Sequence, residues 1–92
     1  MNIEEINELK LELKRLEREY KKARPIMRGS ITYMGTKNKQ PYFSLSLNGK
    51  TKVIYLGNKR AKVAQKYVDN YKTATGLIDK MTLIQMQILK NT

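Results

Sequence analysis

Positive charge is concentrated in the part of the chain that follows the first 24 residues. Residues 25–92 carry twelve Lys or Arg against two Asp, whereas residues 1–24 carry seven Lys or Arg against six Glu. Ten of the twelve later basic residues lie between Arg28 and Lys72. Lysine and arginine neutralise phosphates. This uneven distribution favours a polyanionic partner, either nucleic acid or an anionic membrane surface, although excess lysine can also serve solubility alone.

Hydroxyl side chains accompany the basic ones on a predicted sheet. Phe43, Leu45 and Leu47 alternate with polar residues, so one face of that strand is predicted to be apolar and the other hydroxyl-rich. Short polar residues let a sheet approach a nucleic-acid groove while basic residues at its edges bind phosphates. The predicted nucleic-acid-binding residues are Arg28, Ser30, Thr32, Lys37, Lys39, Tyr42, Ser44, Ser46, Lys50, Lys52, Lys59, Arg60 and Lys62. The alternative is that these hydroxyl groups form an ordinary solvent-exposed sheet face.

The residue types needed for catalysis or metal binding are scarce. The chain has no cysteine and no histidine, which excludes disulfides, thiolate metal sites and the commonest general base. Asp69 and Asp79 are the only aspartates, and ten residues apart on a helix they form no obvious carboxylate pair. We therefore expect no catalytic residue, no metal and no cofactor, and we do not expect an enzyme.

The elements that position these residues begin with a three-stranded antiparallel meander over residues 27–57. Asn48-Gly49 separates two apolar segments and favours a tight hairpin turn. The first strand is predicted at Arg28–Met34, the second opens at Pro41 beyond a Gly35–Gln40 loop, and the third covers Lys52–Leu56. The start of the following helix, Asn58–Lys62, is a further predicted phosphate site, because a helix N-terminus attracts anions.

A first helix is predicted within residues 1–24. Its apolar residues alternate at spacings of three and four, which is typical of a helical packing seam. The seam consists of Ile6, Leu9, Leu13, Leu16, Tyr20 and Ala23. Arg24-Pro25 ends the helix, since the residue before proline avoids the α conformation. This seam either packs on the second helix of the same chain or forms a dimeric coiled coil, and both arrangements can hold together.

A second, longer helix is predicted over residues 59–90. Asn58 is expected to cap its start, and Gly76 predicts a kink or a boundary near the middle. Its seam is predicted as Ala64, Tyr67, Tyr71, Ala74, Ile78, Met81, Gln85 and Ile88. The segment Met81–Leu89 is apolar on more than one face, so we expect it to be buried against the first helix and a second copy of the protein.

The tyrosines allow two interpretations. They could stack on exposed bases, as in single-strand-binding proteins. The interpretation that we favour places Tyr33, Tyr55, Tyr67 and Tyr71 in a small core between sheet and helix, with Tyr42 exposed.

Two resemblances follow from this order of elements. The sheet-then-helix arrangement is similar to the arm-binding domains of tyrosine integrases and to the plant AP2 domain, which place a three-stranded sheet in the DNA major groove. The chain also resembles small uncharacterised bacterial and archaeal proteins found near mobile elements. The matching residues are Gly29-Ser30, Pro41-Tyr42-Phe43, Leu45-Ser46, Gly49-Lys50-Thr51, Tyr55 and Asn70-Tyr71. Many of those proteins carry a cysteine-rich loop between the first two strands, where this chain has MGTKNKQ and no cysteine.

The sequence therefore predicts one α+β domain, residues 1–92, whose two helices pack together as a hairpin or coiled coil. The predicted function is nucleic-acid binding, with DNA favoured over RNA, as a homodimer in the cytoplasm. No membrane association is expected, because no apolar segment is long enough to span a bilayer and the N-terminus is unlike a signal peptide. The alternative is a structural or adaptor protein that binds a protein partner through its helices, such as a phage anti-defence protein.

Overall fold

The computed structural model describes all residues from Met1 to Thr92. Its elements are α1 (Ile3–Lys22), β1 (Ser30–Met34), β2 (Gln40–Leu47), β3 (Lys50–Tyr55) and α2 (Gly57–Lys90). This order confirms the predicted α+β fold of helix, three-stranded antiparallel sheet and long helix. The chain divides into two compact units. Unit 1 comprises Met1–Arg24 and Lys72–Thr92, and unit 2 comprises Pro25–Tyr71, so α2 contributes to both.

Helix α1 lies within the predicted residues 1–24 and ends before Pro25, as predicted. The Asn2 side chain accepts a 2.8 Å hydrogen bond from the Glu5 backbone N–H, which satisfies one of the free donors of the first turn. At the other end, Ala23 donates its backbone N–H to the Tyr20 carbonyl at 3.2 Å. Pro25 follows two residues later and prevents the helix from continuing.

In unit 1, α1 packs beside the second half of α2. Leu16 of α1 and Ala74, Leu77 and Ile88 of α2 are buried. A groove of about 310 Å³ between the helices has both α1 and α2 residues in its walls, among them Leu13 and Met81. The predicted packing of the two helices against each other is thus present, and it covers the α1 seam within one chain.

The buried residues of α2 correct its predicted seam. In unit 1, Leu77 is buried where Ile78 was expected, and Ile84 is more covered than Gln85. Ile78 is exposed. The predicted seam kept one phase along the whole helix, but α2 packs on a sheet in unit 2 and on a helix in unit 1, so the phase of its buried residues changes.

Helix α2 also runs through Gly76 without a break, so the predicted helix boundary there is wrong. A methyl group added at Gly76 would meet no atom within 4 Å. The hydrogen-bonded helix therefore tolerates glycine here, at a cost of about 1 kcal/mol in helix propensity. The predicted cap is wrong as well, since α2 starts at Gly57 and the Asn58 side chain lies inside its first turn.

Unit 2 contains the sheet, with strand order β1-β2-β3 and both pairs antiparallel. Asn48 and Gly49 have φ angles of 52° and 76°, as a two-residue turn between twisted strands requires. The predicted Asn-Gly hairpin is confirmed. The strands differ from prediction by one or two residues: β1 starts at Ser30, β2 at Gln40, and β3 covers Lys50–Tyr55.

The core of unit 2 forms where α2 crosses one face of the sheet. Phe43, Leu56, Ala64 and Val68 make up a buried cluster, so the Phe43 face is the one that the helix covers. Leu45 packs against this cluster as predicted, whereas Leu47 is exposed, because it lies at the hairpin end of the sheet.

Two tyrosines do not occupy the predicted core. Tyr33 is 61% exposed because it lies near the end of an edge strand, and Tyr55 is 49% exposed because it pairs with Tyr42 on the sheet face opposite Phe43. Tyr67 is partly buried, in line with the prediction. Tyr42 is partly buried rather than exposed, because its ring makes an edge contact with Tyr55 at a centroid distance of 5.4 Å.

Candidate nucleic-acid interface

The hydroxyl residues share one face of the sheet. Directly paired residues of antiparallel strands point to the same side, and the register pairs Ser30 with Ser44 and Thr32 with Tyr42. Ser46 joins them because it lies two residues from Ser44 on β2, and its pair with Thr51 adds that residue of β3. The Arg28 guanidinium reaches β2 and donates a hydrogen bond to the Ser46 backbone carbonyl at 3.1 Å. We call this surface, which faces away from α2, the hydroxyl face.

The two strand lysines of the predicted site are on the opposite side. Lys50 pairs with Leu47 and Lys52 pairs with Leu45, so both belong to the Phe43 face. The sequence could not show this, because β3 is apolar at consecutive positions and gives no alternation from which to read its register. Both lysines are exposed beside the Asn-Gly hairpin.

The hydroxyl face itself carries no lysine. Its β3 residues are Thr51, Val53 and Tyr55, and the last two are exposed apolar or aromatic side chains. Tyr55 donates its hydroxyl to the Gln40 side chain at 3.3 Å. The sequence predicted a hydroxyl-rich surface with lysines at its rim. The register of β3 instead places the hydroxyl groups and the two strand lysines on opposite faces of the sheet.

The helix lysines form a row on the exposed side of α2. Lys59, Lys62 and Lys66 follow one another at spacings of three and four, which aligns them along one helix face. Lys66 lies two residues from both Ala64 and Val68, or about 160–200° around the helix from the buried side. Arg60 is apart from this row, because its Nε donates to the Leu56 carbonyl at 2.7 Å.

The loop lysines lie at the end of the sheet where this row begins. Lys37 and Lys39 are in the loop that joins β1 to β2. Beside it, Leu56 donates its backbone N–H to the Pro41 carbonyl at 3.0 Å, which brings the start of α2 to the first residues of β2. We call this region the loop–helix end and define it by Lys37, Lys39, Lys59 and Lys62.

None of the basic residues of unit 2 makes an ion pair. The two ion pairs of the chain are both in α1, where Arg15 contacts Glu12 and Glu19. The hydrogen bond from Arg15 lowers the pKa of Glu12 and raises that of Arg15 itself. Residues 25–71 instead hold nine Lys or Arg against one Asp, a net charge of +8. The first turn of α2 contains no acidic residue either, which leaves its N–H groups and their positive potential open to an anion.

A groove at the loop–helix end adds Tyr33 to the candidate site, although this residue was predicted to lie in the core. It has a volume of about 520 Å³ and lies between β1 and the first turns of α2. Its walls are Ile31, Tyr33, Asn58, Ala61, Lys62 and Gln65. The Tyr33 ring is the exposed aromatic surface of this groove. The edge position of β1 is the signal that could have identified Tyr33 as exposed. A residue near the end of an edge strand extends beyond the part of the sheet that the helix covers.

Comparison with protein-family models, curated proteins and solved structures finds no match to this chain. The resemblances to integrase arm-binding domains, AP2 domains and mobile-element-associated proteins therefore remain predictions. No helix combines the length and the apolar composition needed to cross a bilayer.

Proposed function

We propose that the chain binds nucleic acid through phosphate contacts at the loop–helix end of unit 2. DNA is the favoured ligand, as the sequence predicts, and the chain binds it without catalysing a reaction. The observation that carries this proposal is the unpaired charge of unit 2, nine basic residues with one acid and no ion pair. Basic side chains kept free of carboxylates can all be used for phosphates.

The position of the charges favours the helix side over the hydroxyl face. Lys59, Lys62 and Lys66 line the exposed face of α2, and Lys37 and Lys39 lie in the β1–β2 loop at the end of the sheet where α2 begins. The hydroxyl face contributes only Arg28, whose guanidinium already holds the Ser46 carbonyl. A backbone-binding surface centred on α2 also needs no fit to a groove, so it accommodates nucleic acids of different sequence.

The test is the salt dependence of binding to a labelled 20-base-pair duplex, measured by fluorescence polarisation. For duplex DNA, log affinity falls against log salt with a slope of about −0.9 for each phosphate contact. Substitution of Lys59, Lys62 and Lys66 together by Ala removes up to three contacts without loss of helix propensity. We expect the slope to become shallower by about 2 to 3 and the affinity at low salt to fall at least tenfold.

A matched control removes three lysines of α2 from unit 1 instead, by Lys72→Ala, Lys80→Ala and Lys90→Ala. All three are exposed, and the change in net charge is the same. The proposal requires a smaller effect from this control on both slope and affinity. Equal effects would mean that only total charge matters. Absence of wild-type binding at low salt to both this duplex and a single strand would refute the proposed function.

A second candidate function is protein binding through the end of α2, with a second copy of the chain as partner. Leu83, Met86 and Leu89 follow at three-residue intervals and are 59–66% exposed. Charge supports this partner, because the last part of α2 carries Lys90 and no acid, whereas α1 begins with Glu4 and Glu5. A second copy would cover the apolar residues and bring the opposite charges together.

A further inference from the structure

We infer that the groove between β1 and α2 holds an unpaired base of a single-stranded nucleic acid, with Tyr33 as its stacking surface. This inference rests on the proposed function and specifies the form of the ligand. The groove of about 520 Å³ is within the range of about 300–1,000 Å³ that small-ligand sites occupy. One nucleotide therefore fits, whereas a paired base in a duplex cannot leave its stack without a cost.

Tyr33 is available for stacking because its side chain forms no hydrogen bond and no aromatic pair within the chain. It is 61% exposed, and the one aromatic pair of the chain joins Tyr42 to Tyr55 on the other face of the sheet. A base has an apolar face of its own and gains from stacking on an aromatic ring whatever its identity. The apolar floor of the groove is Ile31 and Ala61, which pack against the unit 2 core.

The polar groups around the ring match the other parts of a nucleotide. Asn58 has a free side-chain amide, which can donate to and accept from a base edge. The Gln65 side-chain N–H donates a 2.9 Å hydrogen bond to the Asp69 carboxylate. The Gln65 side-chain carbonyl oxygen remains available to accept a hydrogen bond from another donor. Lys62 lines the same groove and belongs to the lysine row, so it can bind the phosphate beside the stacked base.

The experiment compares four labelled probes by fluorescence polarisation at one salt concentration. They are dodecameric oligo-dT, oligo-U, an abasic dodecamer with the same phosphates, and a blunt 20-base-pair duplex. The abasic strand measures the electrostatic part of binding alone. We expect wild-type protein to bind oligo-dT or oligo-U about tenfold more tightly than the abasic strand, and the better of the two identifies DNA or RNA.

Tyr33→Ala should lower affinity for the better strand about tenfold and leave the abasic strand unchanged. Tyr33→Phe retains the ring and should bind like wild type. Tyr55→Ala, at another exposed tyrosine on an edge strand, is the matched control and should also bind like wild type. Circular dichroism confirms that each variant is folded before it is compared.

The outcomes separate this inference from the function on which it rests. Equal wild-type affinity for the base-bearing and abasic strands would overturn the stacking site and leave the phosphate contacts intact. A Tyr33→Ala variant with unchanged affinity, or a Tyr55→Ala variant with the same loss, would also overturn it. Failure of wild-type protein to bind any of the four probes would refute the proposed function together with the inference.

Discussion

At the scale of single residues, Gly29 has the most restrictive environment in unit 2. Its φ angle is 156°, and a methyl group added there would lie 2.5 Å from the Phe43 ring and 2.6 Å from the Ser44 carbonyl oxygen. Neither neighbour can move freely, because Phe43 is in the core and the carbonyl belongs to the central strand. Glycine at this position allows the chain to enter β1 closely against β2.

We therefore expect Gly29→Ala to lower the free energy of unfolding by about 1–3 kcal/mol, the usual cost of overpacking a core. Gly76→Ala is the matched control, since its new methyl group meets no atom within 4 Å and improves helix propensity. It should raise the free energy of unfolding by about 0.5–1 kcal/mol. Urea unfolding of the three proteins measures both changes. A Gly29→Ala protein as stable as wild type would show that Phe43 and the Ser44 carbonyl leave room for a methyl group at this position.

At the scale of elements, α2 has different surroundings along its length. In unit 2 it buries Ala64 and Val68 on the sheet and exposes its lysine row. In unit 1 it buries Ala74, Leu77 and Ile88. Small residues predominate where the helix meets the sheet, and larger aliphatic ones where it meets α1. The apolar residues left over at its end form the exposed stripe of Leu83, Met86 and Leu89.

This stripe gives a direct prediction for self-association. If it is the contact between two copies, wild-type protein should have twice the chain mass of 10.8 kDa by light scattering, and Leu83→Ser with Met86→Ser should return it to one chain. Val53→Ser with Ile54→Ser is the control, because these two β3 residues are also exposed and lie outside both the stripe and the acidic start of α1. A wild-type mass of one chain at high concentration would contradict the second candidate function.

At the scale of the whole molecule, the sequence was informative where local chemistry determines structure. The Asn48-Gly49 turn, the α1 seam and its termination before Pro25 each follow from neighbouring residues, and all three are present. The side of the sheet on which Lys50 and Lys52 lie does not follow from neighbours, because it depends on how β3 pairs with β2. The exposure of Tyr33 depends likewise on how far a helix covers an edge strand.

The candidate site shows the same division. The concentration of basic residues in unit 2 is visible in the sequence itself. That these residues form no ion pairs became visible only with side-chain positions. The groove beside Tyr33 combines β1 with residues about 25 to 35 positions later in α2. No local sequence pattern brings such distant residues together, and Asn58, Ala61 and Gln65 carry no motif that marks them.

Backbone amide shifts of ¹⁵N-labelled protein, followed during titration with oligo-dT, locate the nucleic-acid interface on the chain. A chain of 10.8 kDa gives resolved spectra for every element. The proposed interface predicts shifts concentrated at Tyr33, in the loop of Lys37 and Lys39, and in the first turns of α2. Shifts centred instead on Ser44 and Ser46 of the hydroxyl face, or on the stripe at the end of α2, would contradict it.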